Sequence, residues 1–240
     1  MHEHEYHNLV ICIIGTEITQ GIIADKHGPH LAAEVTRMGY RVERIIMVPD
    51  DGSIATVLRE NVQEADVILL TGGLGPTSDD MTRQVIADMA GVPLLTNPTA
   101  WKQVYERMGE RIYGANERQA LIPQGFTVLA NPRGTAPGFS GFIPVFGSTG
   151  VVRHVACAAM PGPPLELNGM FEDLVRPWLA SLRGHDEVAR DEYSVYLLGE
   201  SMLEEKCARA ASEGVLWGTR FQAHRVSLYI SGPTEESRHQ

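Results

Sequence analysis

Cysteine is scarce: Cys12, Cys157 and Cys207 are the only three in 240 residues. They are odd in number, far apart and form no C-x-x-C pair, which excludes a disulfide framework and a cysteine zinc site. Positive charge is also short, with 20 Lys and Arg against 30 Asp and Glu and a net charge of −10; the pI is near 5.3. A chain so acidic offers no general surface to nucleic acid or to an anionic membrane, so any anionic ligand has to be held by a local site. No apolar run approaches the length of a membrane span, and the opening MHEHEYHN has no apolar signal core. Its histidines, His2, His4 and His7, read as a frayed polar start rather than a metal site. These absences lead to the expectation of a cytoplasmic protein with no membrane and no nucleic-acid partner.

What is present is ordinary globular material, 43% hydrophobic and 21% charged, enough for one α/β core and a smaller appendage. LVICIIG (9–15) is a continuous apolar strand. TEITQGIIADKHGPHLAAEVTRMG then gives a loop and a helix with Leu31, Val35 and Met38 on one face, stopped by Gly39. YRVERIIMVPDD is a second strand, GSIATVLRENVQEA a helix carrying Ile54, Leu58 and Val62, and DVILL a third strand. Strand and helix in strict alternation predict a three-layer, doubly wound, mainly parallel sheet. After Gly91 the chain changes character: residues 97–125 read as two helical pieces divided near Gly114, an excursion or lid in which Trp101, Tyr105 and Met108 share a packing face. Strands are expected over 138–142 and 151–159, then a glycine and proline loop and a helix starting near Pro163 or Pro164. SLRGHDEVARD reads as a linker. Beyond it EYSVYLLG, ESMLEEKCARAASEG and RVSLYISG spell a small strand, helix, strand unit. The domains are therefore placed at 1–182 and 190–240.

The chemistry concentrates in VILLTGGLGPTSDD (67–80), where a buried strand runs into a glycine loop and two adjacent carboxylates. Gly73-x-Gly75 would need a third glycine at Ser78 to make a dinucleotide fingerprint, and the loop lacks the Lys-Ser/Thr ending of a P-loop. What remains is a loop at the carboxyl end of a strand and the start of a helix, where α/β sheets bind ligands and free N–H groups suit an anion. Gly72, Gly73 and Gly75 would supply those N–H donors. Asp79 and Asp80 would hold a hard cation such as Mg²⁺, which combines few carboxylates with water and ligand oxygens; alternatively Asp80 only caps the helix from Met81.

These residues resemble the MoaB/Mog (molybdopterin-binding) family and, within it, the N-terminal part of the competence/damage-inducible CinA family. GTEITQG (15–21), VPDD (48–51), TGGLGPTSDDMTRQVIADMAG (71–91), NPRGTAPG (131–138) and MPGPPLEL (160–167) fall in the family's order, over about residues 9–180. The tail over 193–232 is similar to the small KH-like α+β domain that follows in that family; the separate deamidase domain of its full-length members has no counterpart in this sequence. The DKHG segment (25–28) looks instead like the Asp-Lys-x-Gly of Mog-type proteins.

The resemblance implies chemistry at a phosphoanhydride: metal-dependent hydrolysis as in an ADP-ribose pyrophosphatase, Mog-type adenylylation of molybdopterin, or binding of a pterin or nucleotide without turnover. It implies Mg²⁺ or another divalent metal, and molybdopterin as a possible ligand. Asp80, Glu17 and Arg133 become the catalytic candidates, with Asp79 and Asp80 on the metal. Thr71, Gly72, Gly73, Gly75, Thr77, Lys26, Asp50, Gly134, Thr135 and Gly162 become the ligand and phosphate candidates. Lys26 is open to a second reading as a solvated first-turn lysine, and His27 and His30 read as helix-surface residues. The C-terminal unit lacks a GxxG loop and basic excess, so it is expected to pack or oligomerise rather than bind RNA, and the chain is expected to be a homo-oligomer.

Overall fold

The structure, a computed structural model, describes residues 7–146, 152–183, 189–196, 199–210, 215–222 and 225–232. His2 and His4, Leu197 and Leu198, and the centre of the expected linker lie outside those residues. By contact the chain forms two compact units, Met1–Ala33 with Tyr40–Gly184, and Glu34–Gly39 with His185–Gln240.

The first unit is built on a six-stranded sheet. Its strands are β1 (Asn8–Ile14), β2 (Arg41–Val48), β3 (Val67–Thr71), β6 (Thr127–Leu129), β7 (Gly138–Phe146) and β8 (Val152–Met160), in the order β2-β1-β3-β8-β7-β6. The first four neighbours run parallel; β7 and β6 complete the sheet by antiparallel pairing. Every residue of β3 is buried, as are six of the seven in β1, which is why these strands read as unbroken apolar runs. The edge strand β2 buries only Val48. The result is an α/β fold with a mostly parallel central sheet.

Helices α1 (Thr16–Thr19), α2 (His27–Arg37), α3 (Ser53–Asn61) and α4 (Thr82–Ala90) connect the early strands. Ile54 and Leu58 of α3, and Val85 and Ile86 of α4, join the apolar cluster around Ile68 and Leu70. α4 starts one residue later than expected, with Met81 at its N-cap. His30 packs edge-on to Phe171 instead of facing solvent.

The excursion is α5 (Pro98–Met108) followed by 3₁₀ turns at Gly109–Arg111 and Gly114–Ala120, so its second half is not the α-helix expected. A small ladder of β4 (Leu94–Thr96) and β5 (Leu121–Pro123) closes its base. α5 buries Ala100 and Val104, and Trp101 of the expected packing face lies partly buried against the core, while Tyr105 is 57% exposed and does not pack there. α6 (Pro164–Met170) and α7 (Arg176–Arg183) are joined by a π turn over Phe171–Val175.

The second unit contains β9 (Ala189–Val195), α8 (Glu200–Ala210), β10 (Leu216–Gln222) and β11 (Arg225–Gly232), an antiparallel sheet in the order β10-β11-β9. Two expectations are corrected. Strand β10, LWGTRFQ, was not anticipated, and the linker is shortened because α7 runs to Arg183 and β9 begins at Ala189.

Candidate active-site cleft

In the order β2-β1-β3 the chain leaves β1 in one direction to reach β2 and crosses to the other side for β3. This is the switch point at which loops beyond the carboxyl ends of parallel strands part and leave a crevice. Each of four parallel strands sends one carboxylate to it: Asp50 after β2, Glu17 after β1, Asp80 after β3 and Glu166 after β8. All four line one cleft of about 340 Å³. The strand ends are tied together by Gly15 N–H to Val48 O at 3.0 Å, Asp50 N–H to Thr16 Oγ1 at 3.1 Å, and Gly72 N–H to Met160 O at 3.0 Å. The Thr71 hydroxyl donates to Pro161 O at 3.1 Å.

The glycines of the loop are required by close packing. A Cβ on Gly72 would lie 2.0 Å from the Ile14 carbonyl, and Gly72 has φ +100°, a region that side chains avoid. A Cβ on Gly73 (φ +63°) would lie 2.2 Å from Thr82 Oγ1. Two of the three N–H groups expected to form a phosphate cradle are engaged within the protein. Gly72 N–H is bonded to Met160 and Gly75 N–H donates to Asp80 Oδ1 at 2.7 Å. Asp80 Oδ2 also accepts from Thr77 N–H at 2.8 Å and from the Thr77 hydroxyl. Asp80 therefore fastens the glycine loop in front of it. It does not cap α4, which has no side-chain cap. Thr77 serves that closure and is not among the cleft-lining residues.

Behind the loop Arg83 is buried at 4% exposure and donates to Leu74 O at 2.9 Å and Pro137 O at 3.2 Å. Burial pulls its pKa down to about 10, against the attraction of Asp80, so it stays charged. In front of the loop Asp50 Oδ1 is buried with no partner. Burial first, then the charges of Asp80, Asp79 and Glu17, push the Asp50 carboxyl up to about 6, opposed by an N–H bond from Met81. Among the described residues that line the cleft there is no Lys, Arg or His. Among the described residues there is also no preformed group of three or more His, Cys, Asp or Glu able to hold a metal.

The remaining candidates divide. Thr135, Gly162 and Glu17 line the cleft. Lys26 is exposed and lines an adjoining lobe of about 400 Å³, which shares Glu17 and Gly162 with the cleft and is walled by Ile13, Ile18 and Ile23. Asp25 accepts from the N–H groups of His27 and Gly28, at 2.8 and 3.1 Å, and so caps α2. Asp79 is exposed and outside both lobes. Arg133 is also outside: it pairs with Asp173 at 3.0 Å and lies over Gly169, whose Cβ would meet its Nη1 at 2.0 Å. Gly134 makes room for the Glu166 carboxylate. Sequence reasoning missed Glu166, Gln119, Asn131 and Arg83. A usable signal for Glu166 was that MPGPPLEL repeats the order seen after β3, a buried strand, a glycine turn and then an acid.

Residues 10–181 match the family described as "Probable molybdopterin binding domain", and the chain belongs to that family. It is 37% identical over 198 residues to a CinA-like protein of Akkermansia muciniphila, covering 80% of this chain and 45% of that protein. It is likewise 37% identical over 215 residues to a CinA-like protein of Citrifermentans bemidjiense, covering 86% of this chain and 48% of that one. The chain thus spans less than half the length of these curated relatives. Among solved structures it is similar to the protein CinA with unknown function from Thermoplasma acidophilum, at 27% identity and a TM-score of 0.62, over 71% of this chain and 98% of that one.

Proposed function

We propose that the chain is a divalent-metal-dependent enzyme that hydrolyses a phosphoanhydride in a nucleotide or pterin, in the manner of an ADP-ribose pyrophosphatase. The observation that carries this reading is the cleft's charge: four carboxylates from four strand ends, one with a buried unpartnered oxygen, and no cationic side chain lining it. An anionic phosphate enters such a cleft together with a cation. The donor set fits a hard divalent ion, which takes carboxylate oxygens and completes its shell with water and phosphate oxygens. Asp50 through Oδ1, and Asp80 through the oxygen that carries a single internal bond, would hold it, Asp50 taking the place expected for Asp79.

When bound, such a cation supplies charge neutralisation at the phosphate oxygens. The Gly73 and Leu74 N–H groups, which make no hydrogen bond among the described residues, belong to the cleft lining and would be the donors left for the ligand at the loop. Glu17, shared by both lobes, is placed to take a proton from an attacking water. Arg133 takes no part, because its guanidinium is engaged with Asp173.

The apolar second lobe with Lys26 at its rim favours one further reading, adenylylation or simple binding of molybdopterin, with the heterocycle in that lobe. Incubating the protein with ADP-ribose, and separately with ATP plus molybdopterin, across Mg²⁺, Mn²⁺ and Co²⁺ tests both. Release of AMP from ADP-ribose only with metal is expected. Adenylylated pterin without ADP-ribose cleavage would move the assignment to the second reading, and tight binding without either product would leave a carrier.

The same reading divides the chain at 1–182 and 190–240, with a KH-like second domain supported by its single helix on a three-stranded antiparallel sheet. It also takes the protein to be a cytoplasmic homo-oligomer; among the described residues no helix is long and apolar enough to cross a membrane. Light scattering that gives a monomer mass at micromolar concentration would remove the oligomer.

A further inference from the structure

We infer that Glu166 is the specificity-determining acceptor of the cleft, held in place to read a pair of adjacent hydrogen-bond donors on the ligand. The inference rests on the cleft proposed above as the ligand site, but not on any reaction there. Glu166 sits in the first turn of α6, reached through Pro161-Gly162-Pro163-Pro164. Its position is fixed twice. Asn131, 1% exposed, donates from Nδ2 to Glu166 Oε2 at 2.7 Å, and its other amide hydrogen goes to Ala136 O at 2.9 Å. Asn131 Oδ1 accepts from Arg133 N–H at 3.2 Å, and Asn131 N–H donates to Gln103 Oε1 at 2.8 Å. With every group of Asn131 assigned, its amide cannot turn over, and the hydrogen offered to Glu166 is permanent. Gly134 is the second constraint, since a Cβ there would lie 2.0 Å from Glu166 Oε2.

This support leaves Oε1 with no hydrogen bond among the described residues, and Glu166 lines the cleft together with Gln119 and Thr135, which are bonded to one another at 3.1 Å. A carboxylate accepts only, so it draws N–H or O–H groups and rejects phosphate or carbonyl oxygens at that end of the cleft. The ligand is thereby oriented, with its phosphates toward the glycine loop and a donor pair toward Glu166. Two sources have this chemistry, a ribose 2′,3′-diol and the amino-lactam edge of a pterin or guanine.

The test uses matched neutral probes without phosphate, so that it does not depend on turnover: adenosine against 2′,3′-dideoxyadenosine, and pterin against lumazine, in which an oxo group replaces the 2-amino group. Affinities for wild type, Glu166→Gln and Gly134→Ala are measured by saturation-transfer NMR. Wild type is expected to prefer the donor-bearing member of one pair by about tenfold to a hundredfold, as for a hydrogen bond to a charged group; the pair that shows it identifies the source. Glu166→Gln keeps an acceptor for Asn131 and should fold, yet bring the ratio near one. Gly134→Ala should do the same by displacing an intact carboxylate. A wild type that prefers neither donor, or a ratio unchanged in Glu166→Gln, overturns the inference. A Glu166-dependent preference in a protein that cleaves no phosphoanhydride sustains it while the hydrolase reading falls.

Discussion

Removing the Asp50 carboxylate should stabilise the protein at neutral pH. Its pKa is raised from 3.8 to about 6, so the folded state holds a proton more tightly than the unfolded chain does. The stabilisation from that proton is fully present below about pH 4 and is lost as pH rises through about 6. Above that the folded state carries a charge it resists. A shift of roughly two units corresponds to about 3 kcal/mol for a fully sequestered group, and solvent screening at a half-buried side chain reduces this to about 1–2 kcal/mol. Asp50→Asn removes the charge and keeps an acceptor for the Met81 N–H.

The assay is urea unfolding of wild type and Asp50→Asn in chelator, at pH 4.5 and pH 7.5. The difference between the two proteins isolates residue 50 from the other acids. The variant should exceed wild type by about 1–2 kcal/mol at the higher pH and by about a third of that at the lower, where the unfolded chain has already lost most of its proton. Millimolar Mg²⁺ should narrow the gap by stabilising wild type alone, since a ligand of the folded state adds to stability. A variant less stable than wild type at pH 7.5, or an equal gap at both pH values, would refute the reasoning, the second by showing a packing change instead of a titration.

Asp80→Asn puts an amide donor against N–H groups that now converge on a carboxylate, and should lose about 1–3 kcal/mol, a fall of several degrees in Tm. Unchanged unfolding would mean that the loop closes without this residue. Arg83→Met strands two buried carbonyls, Leu74 O and Pro137 O, and should cost about 2–4 kcal/mol by chemical denaturation; a loss under about 0.5 kcal/mol would exclude a supporting role.

The parallel half of the sheet was legible because β1 and β3 are buried throughout, and burial on both faces writes itself as an unbroken apolar run. Strand β10 was not, because LWGTRFQ interleaves glycine and polar residues in an antiparallel ladder that one face does not need to bury. Within the cleft, Asp80 was legible as an acid after an apolar strand and a glycine loop, whereas Glu17 and Asp50 entered through the family resemblance. Glu166 needs the pairing of β3 with β8 and the return of Asn131, 35 positions earlier in the chain, and neither is local. Arg83 was hidden for another reason: a charged residue on an amphipathic helix reads as solvent-facing, and only the carbonyls turned toward it reverse that. The same limit explains Gly72. Its glycine identity was readable, but its N–H is consumed by Met160 O, a partner 88 residues later that sequence spacing does not reveal.

That consumption bears on how the cleft works. A glycine loop at a helix start attracts anions when its N–H groups are free. Here Gly72 and Gly75 spend theirs on Met160 and Asp80, and Thr77 gives both of its donors to the same carboxylate. The loop gains rigidity and loses much of its capacity to neutralise a phosphate. The lining carries no compensating Lys or Arg among the described residues, and Arg83, which has the charge, is turned to carbonyls behind the loop. Four carboxylates around such a loop would repel a bare diphosphate. The Asp50 carboxyl is raised first by burial and further by its acidic neighbours, and in the proposed reading a cation arriving with the phosphate would relieve the ligand's charge and the cleft's together.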